Sequence, residues 1–169
     1  MTDSTTRTTG SCLRWIWLAL LVVVLDLGTK YVADQVLSYG VPRPVLPVFD
    51  LTLLYNTGAA FSFLADAGGW QRWVFALIAL LVSGMLIHWM HRTPARQWWL
   101  GIGLALVLGG AIGNLYDRIV QGYVIDFISL HYKGWYFPAF NLADTAITLG
   151  AVVLIVDMLF LSGLDKATD

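Results

Sequence analysis

The chain has 169 residues, of which 58% are hydrophobic and only 12% charged, with a mean hydropathy of +0.71. That is about half the charge of an ordinary soluble domain, which excludes a conventional water-soluble globule. Ten basic and eleven acidic residues nearly cancel, every acid is Asp, and no run of like charge exists, so the electrostatic footprint of a nucleic-acid binder is missing. The single Cys12 excludes an internal disulfide and any multi-cysteine metal site.

At about 20 residues per crossing, roughly four membrane spans are the ceiling. The first apolar stretch, about 13–33, follows Arg7 and Arg14 and opens with Trp15, Ile16 and Trp17. Its order resembles a secretory signal, but no small-residue cleavage site follows, and Lys30 with Tyr31 reads as an interfacial anchor. An uncleaved span is therefore expected, and further spans at about 73–90, 98–116 and 140–161. The expected fold class is an integral membrane, mainly α protein, built as a single four-helix membrane domain over 1–169. An even number of crossings puts both termini on one side and segments 34–71 and 119–139 on the other.

The positive-inside tally does not decide which side is which. Arg7, Arg14, Arg92, Arg96 and Lys166 balance Lys30, Arg43, Arg72, Arg118 and Lys133. Setting Lys30 and Arg118 aside as buried site residues gives the side with the termini a small lead.

Within 34–71, Phe49-Asp50-Leu51-Thr52-Leu53 alternates apolar with polar, and so does part of Tyr123 to Leu130, a period of two that predicts half-buried strands. Pro42, Pro44 and Pro47 crowd the approach to the first of these. A small sheet lying on the membrane surface would pair those backbone groups, and Trp70, Tyr132, Trp135, Tyr136 and Phe137 suit a headgroup layer.

Acids, amides and an Arg inside or beside apolar spans cost several kcal/mol unless paired or wet, which makes them functional candidates by default. Asp26 and Lys30 stand at i and i+4 near the end of the first span, sharing one face in the better order for an ion pair. Asn114, Asp117 and Arg118 stand at i, i+3 and i+4 at the end of the third. Asn141 and Asp144 open the fourth, with Thr148 a turn further on. Asn56 and Asp126 lie in the two segments on the same side, so one site drawn from five segments is expected. Asp126 and Asp144 stand out as two carboxylates with no basic residue beside them in sequence. Brought close, they cannot both ionise cheaply, so the pair holds one proton and can act as base and acid around one water.

At these residues the chain resembles the lipoprotein signal peptidases, the signal peptidase II family of bacterial membrane aspartic peptidases. Five blocks carry the resemblance in order. They are Asp26-Leu27-Gly28-Thr29-Lys30; Asn56-Thr57-Gly58-Ala59-Ala60-Phe61; residues 109–118 from Gly109 to Arg118; Val124-Ile125-Asp126-Phe127; and Phe140-Asn141-Leu142-Ala143-Asp144. The resemblance implies that Asp126 and Asp144 are a catalytic dyad cleaving just before the lipidated cysteine of a diacylglyceryl-prolipoprotein. By the same resemblance Asn56, Arg118 and Asn141 bind substrate, while Asp26, Lys30, Asn114 and Asp117 brace helix ends. It implies no cofactor or metal, a bacterial inner membrane with both termini cytoplasmic, and a site near the outer face. Membrane lipids and the prolipoprotein are the partners, and a monomer is expected because one four-helix unit can complete the polar cluster.

Blander readings stand beside these. Asp26 with Lys30 is equally an ordinary membrane-end ion pair. Without the resemblance, Asn114 and Asn141 read as interhelical hydrogen-bond partners, and Gly109 with Gly113 as a small-residue packing motif. Arg118 alone reads as a headgroup snorkel. Either Asp alone reads as a solvated loop acid or a helix-start residue. The rival from another class is a small proton- or ion-coupled transporter, since intramembrane charges also mark relay pathways. Against it, the charges gather at one end of the bundle, and no pair of broken helices in related halves is visible.

Overall fold

The structure, a computed structural model, describes residues 10–58 and 68–161. Ala59, Ala60 and Phe61 of the second block lie outside the described residues, as do Arg7 and Lys166 of the charge tally. The described residues hold four helices long and apolar enough to cross a membrane. The spans are Cys12–Val36, Gln71–Arg92, Trp98–Val120 and Leu142–Phe160, built on α1 (Ile16–Val36), α2 (Gln71–Arg92), α3 (Trp98–Val120) and α4 (Leu142–Val156). In hydrocarbon a backbone must satisfy itself, which an apolar run of this length does as a helix. A 3-10 turn, Cys12–Trp15, leads into α1, and a π turn, Asp157–Leu161, prolongs α4. The third helix continues to Val120, beyond the expected end near 116, so Asp117 and Arg118 belong to its last turns.

Helix α3 is the hub. Of its apolar window, 56% is buried inside the protein, against 22%, 22% and 17% for the other three. Leu104, Ala105 and Leu108 of α3 form the main core with Ala19, Leu86 and Met90. Its glycines decide how near the neighbours come. A Cβ on Gly109 would sit 2.7 Å from the Ala19 carbonyl oxygen, and one on Gly113 only 2.5 Å from Asp26 Oδ2. One on Gly110 would collide with the Ala143 carbonyl. The small residues thus bring α1 and the start of α4 against α3 at the level of the polar groups.

Four strands form one antiparallel sheet in the order β1 (Arg43–Leu46), β2 (Phe49–Asn56), β3 (Val124–Tyr132) and β4 (Trp135–Tyr136). The two expected strands are β2 and β3. Strand β1, unmarked in the sequence, is an exposed edge that tolerates Pro44 because one side of an edge needs no ladder bonds. Strands β3 and β4 meet at Lys133 and Gly134, both at positive φ (49° and 83°), as a two-residue hairpin turn requires. On β3 the period of two separates functions. Ile125 and Phe127 join Leu53 and Ala33 in an apolar cluster under the end of α1, while Val124 and Asp126 line a cleft on the other face. On β2 Asp50 and Thr52, 5% and 8% exposed, are covered as well as Leu53, while Phe49 and Leu51 are half-buried. Asp50 Oδ2 lies 3.2 Å from His131 Nε2, and a bulge between Leu51 and Leu54 shifts the alternation. Trp70, Tyr132, Trp135, Tyr136 and Phe137 are all exposed, as a headgroup layer requires.

Replacing Gly110 by Leu drives a side chain into the Ala143 carbonyl and separates α3 from α4. Overpacking of this kind costs about 1–3 kcal/mol or more. The expected outcome is a lower unfolding temperature in detergent, with little change for Gly84→Leu, where a Cβ meets nothing within 4 Å.

Candidate functional site

The polar residues singled out in the sequence converge at one end of the bundle, where α1 and α3 finish, α4 begins and the sheet lies. Lys30 is 1% exposed and spends its ammonium on three acceptors: Asp26 Oδ2 at 2.7 Å, Asp117 Oδ2 at 2.9 Å and Asn114 Oδ1 at 2.9 Å. Asp26 and Asp117 are both fully buried. The i, i+4 pair is therefore the core of a cluster joining two helices. Asp26 also accepts the Ala143 N–H at 2.8 Å, satisfying one of the free donors at the start of α4. Asp117 accepts the Ile125 N–H at 3.2 Å. That contact follows from the end of α3, where Gly122 at φ 87° returns its N–H to the Asp117 carbonyl and turns the chain into β3.

Helix α4 opens with a capping box. Asn141 Oδ1 accepts the Asp144 N–H at 2.9 Å, and Asp144 Oδ2 accepts the Asn141 N–H at 3.3 Å. The segment before it runs along β3, with Phe140 N–H donating to the Ile128 carbonyl and Phe140 O accepting from Phe127 and Ile128. This pairing carries Asn141 to Asp126, whose Oδ1 accepts Asn141 Nδ2 at 2.8 Å. Asp126 Oδ2 accepts Asn56 Nδ2 at 3.0 Å, from the end of β2. Asp144 Oδ1 accepts Asn114 Nδ2 at 2.8 Å. All four oxygens of the two carboxylates thus receive an amide N–H.

Both carboxylates line one cleft of about 1140 Å³ between the sheet and α4, together with Asn56, Asn114, Arg118 and Thr148. Arg118 donates to the Asn114 carbonyl at 3.2 Å, approaches the Gly58 carbonyl at 3.5 Å and lies over the Phe75 ring, 5.4 Å from its centroid. Partly buried, it is held by these contacts at the wall of the cleft. Burial pushes the Asp126 carboxyl up to about 7; the Asp144 charge adds to this, and the Asn56 and Asn141 amides and the Lys30 charge oppose it.

Asn141 is 0% exposed, with both side-chain atoms occupied, and lies beneath the cleft holding both carboxylates. Asn114, expected among the braces, borders the cleft and touches Asp144 directly. A stack of Tyr39, Tyr55 and Tyr123, with centroids 5.1 and 4.5 Å apart, went unnoticed in the sequence, although Tyr39 and Tyr55 line the cleft. The Tyr55 hydroxyl donates to Asp34 at 2.8 Å, an arrangement that pushes the phenol up to about 12. The register that sets Tyr55 against Ile125 brings Tyr123 to it, and the bridge of Tyr39 to Leu53 brings the third ring.

The fold is shared with two solved structures described as bacterial membrane enzymes, determined by the in meso method at 2.3 and 1.9 Å resolution. The first has a TM-score of 0.77 and 30% identity, covering 86% of this chain and 87% of its own. The second has 0.76 and 29%, covering 88% and 94%. The class is therefore an integral-membrane enzyme. Residues 18–160 match the family described as Signal peptidase (SPase) II. A lipoprotein signal peptidase of Pseudomonas fluorescens is 58% identical over 148 residues, covering 86% of this chain and 87% of its own. One from Acinetobacter baumannii is 53% identical over 149 residues, covering 88% and 85%. The chain belongs to the signal peptidase II family and is a peptidase.

Removing the Lys30 ammonium leaves two buried carboxylates facing each other without a cation. Breaking a buried ion pair from one side costs about 3–5 kcal/mol. Lys30→Met is expected to unfold at markedly lower temperature in detergent, and Lys30→Met/Asp117→Asn, which removes one charge of each sign, to recover part of that loss.

Proposed function

We propose that this chain is a lipoprotein signal peptidase that cleaves diacylglyceryl-modified prolipoproteins just before the lipidated cysteine, with Asp126 and Asp144 activating one water. The observation that carries this reading is the amide cradle. Neutral donors hold both carboxylates in one cleft without neutralising either, so the pair can keep a single shared proton. The ionised partner takes a proton from water as its oxygen attacks the scissile carbonyl carbon, and the protonated partner donates to the carbonyl oxygen. Collapse of the tetrahedral intermediate returns a proton to the departing amine. No metal or cofactor takes part in these steps.

Asn56 and Arg118, at the border of the cleft, hold the extended substrate backbone. Asn141 holds the two carboxylates in place of the substrate, because its side chain is buried and fully engaged. Asp26, Lys30 and Asp117 brace the helix ends, and Asn114, expected among them, holds Asp144. A single domain, working as a monomer in the bacterial inner membrane, suits this arrangement. Both termini are cytoplasmic, with the cleft near the outer face, where a lipidated precursor anchored in the bilayer reaches it.

Cleavage of a purified diacylglyceryl-prolipoprotein in nanodiscs tests the assignment, with unlipidated precursor as control. Asp126→Asn and Asp144→Asn, each shown to be folded, are expected to lose at least about 100-fold in kcat. Retained cleavage by either variant sinks the dyad.

Because Asp126 keeps its proton below about 7 and loses it above, activity is expected to fall as pH rises past that value. A rate still climbing at pH 9 contradicts the shared proton. Chelators are expected to leave the rate unchanged; loss in chelator with recovery on adding a divalent ion would require a different mechanism.

A further inference from the structure

We infer that Lys30 is a positioning residue for the acid-base pair, acting through Asn114: its ammonium sets the direction of that amide and so delivers the amide N–H to Asp144. The inference rests on the assignment of Asp126 and Asp144 as that pair.

An Asn side chain has two nearly isosteric ends, and its neighbours decide which way it points. Lys30 can only donate, so the atom of Asn114 facing it at 2.9 Å must be the oxygen. Asn141 Nδ2 reaches the same oxygen at 3.2 Å. Asn141 is itself directed by a pure donor, the Asp144 backbone N–H on its Oδ1. With its oxygen held from two sides, Asn114 has its NH2 group left for Asp144 Oδ1, 2.8 Å away. Lys30, Asn114 and Asn141 are 1%, 6% and 0% exposed, so bulk water cannot stand in for a lost partner.

If the ammonium is removed, the preference for this direction weakens. A flipped amide would aim a lone pair at the Asp144 carboxylate and an NH2 group at the Asn141 NH2 group. The cluster's own composition supports the inference. Asp26, Lys30 and Asp117 bury two negative charges and one positive, and Asp117 Oδ1 lacks a hydrogen-bond partner among the described residues. A buried ionic cluster of this kind is weak evidence for stability, and apolar packing of the same volume is often as stable. A donor that cannot be reversed is what such packing would not supply.

The test measures kcat and KM per folded enzyme on diacylglyceryl-prolipoprotein in nanodiscs. Asn114→Asp keeps an acceptor for Lys30 but offers no N–H to Asp144. It is expected to stay folded with KM within about twofold of wild type and to lose about 100-fold or more in kcat. Lys30→Met/Asp117→Asn is expected to lose about tenfold or more in kcat with KM unchanged. Added to Asn114→Leu, the same double change is expected to cost nothing more, because Lys30 acts through the residue already removed.

Wild-type kcat in folded Asn114→Asp overturns the inference, as do losses that multiply in the combined variant. Wild-type kcat in Asn114→Asp overturns it whether or not the Lys30 variant folds. Failure of the underlying assignment looks different: Asp126→Asn or Asp144→Asn would then still cleave. Inactive dyad variants beside a fully active Asn114→Asp overturn the positioning role only.

Discussion

An ammonium group with almost no access to water must find three acceptors, and Lys30 finds them on α1 and α3. Much of the site's geometry depends on that constraint. Asp26 answers Lys30 with one oxygen and caps the start of α4 with the other. Asp117 answers it while accepting the Ile125 N–H of β3. One cation thereby ties three helices and the sheet, and the glycines of α3 provide the room, since a methyl group at Gly113 would displace Asp26. Buried polar groups are expensive unless satisfied, so the cluster tolerates few other arrangements.

The chemistry of the cleft follows from what surrounds the carboxylates. Cations stay one contact away, and amides make the contacts themselves. A cation against each carboxylate would favour full ionisation of both more strongly than neutral amide donors do, and in the proposed mechanism that weaker pull leaves the pair one proton to share. Asn141 embodies this arrangement, because one side chain caps α4 and contacts Asp126. The same capping box that starts the helix aims Asp144 into the cleft.

The sheet solves a boundary problem. Chain that leaves a membrane helix must satisfy its backbone where lipid gives way to water. Strands β2 and β3 do so by pairing, with their apolar residues beneath the end of α1 and Asp126 on the opposite face. The exposed aromatic residues of the β3 to β4 hairpin suit the headgroup layer, with Tyr136 and Phe137 also forming part of the cleft wall.

Four spans, two strands and the roster of polar residues were legible in the sequence, because apolar length and period-two alternation are local signals and a charge in an apolar run stands out by cost alone. The resemblance to signal peptidase II rested on five short blocks, and the match over residues 18–160 bears it out. Strand β1, the bulge in β2 and the tyrosine stack were not legible, since each depends on register between distant segments. Nor did the spacing of Asp26 and Lys30 disclose Asp117 and Asn114 as further partners of the ammonium. The sequence by itself determined which groups are too polar to lie unpaired among these helices. Only the tertiary structure decided which pairs with which, because a donor chooses among acceptors by distance and direction, and those exist only once the helices and strands have packed.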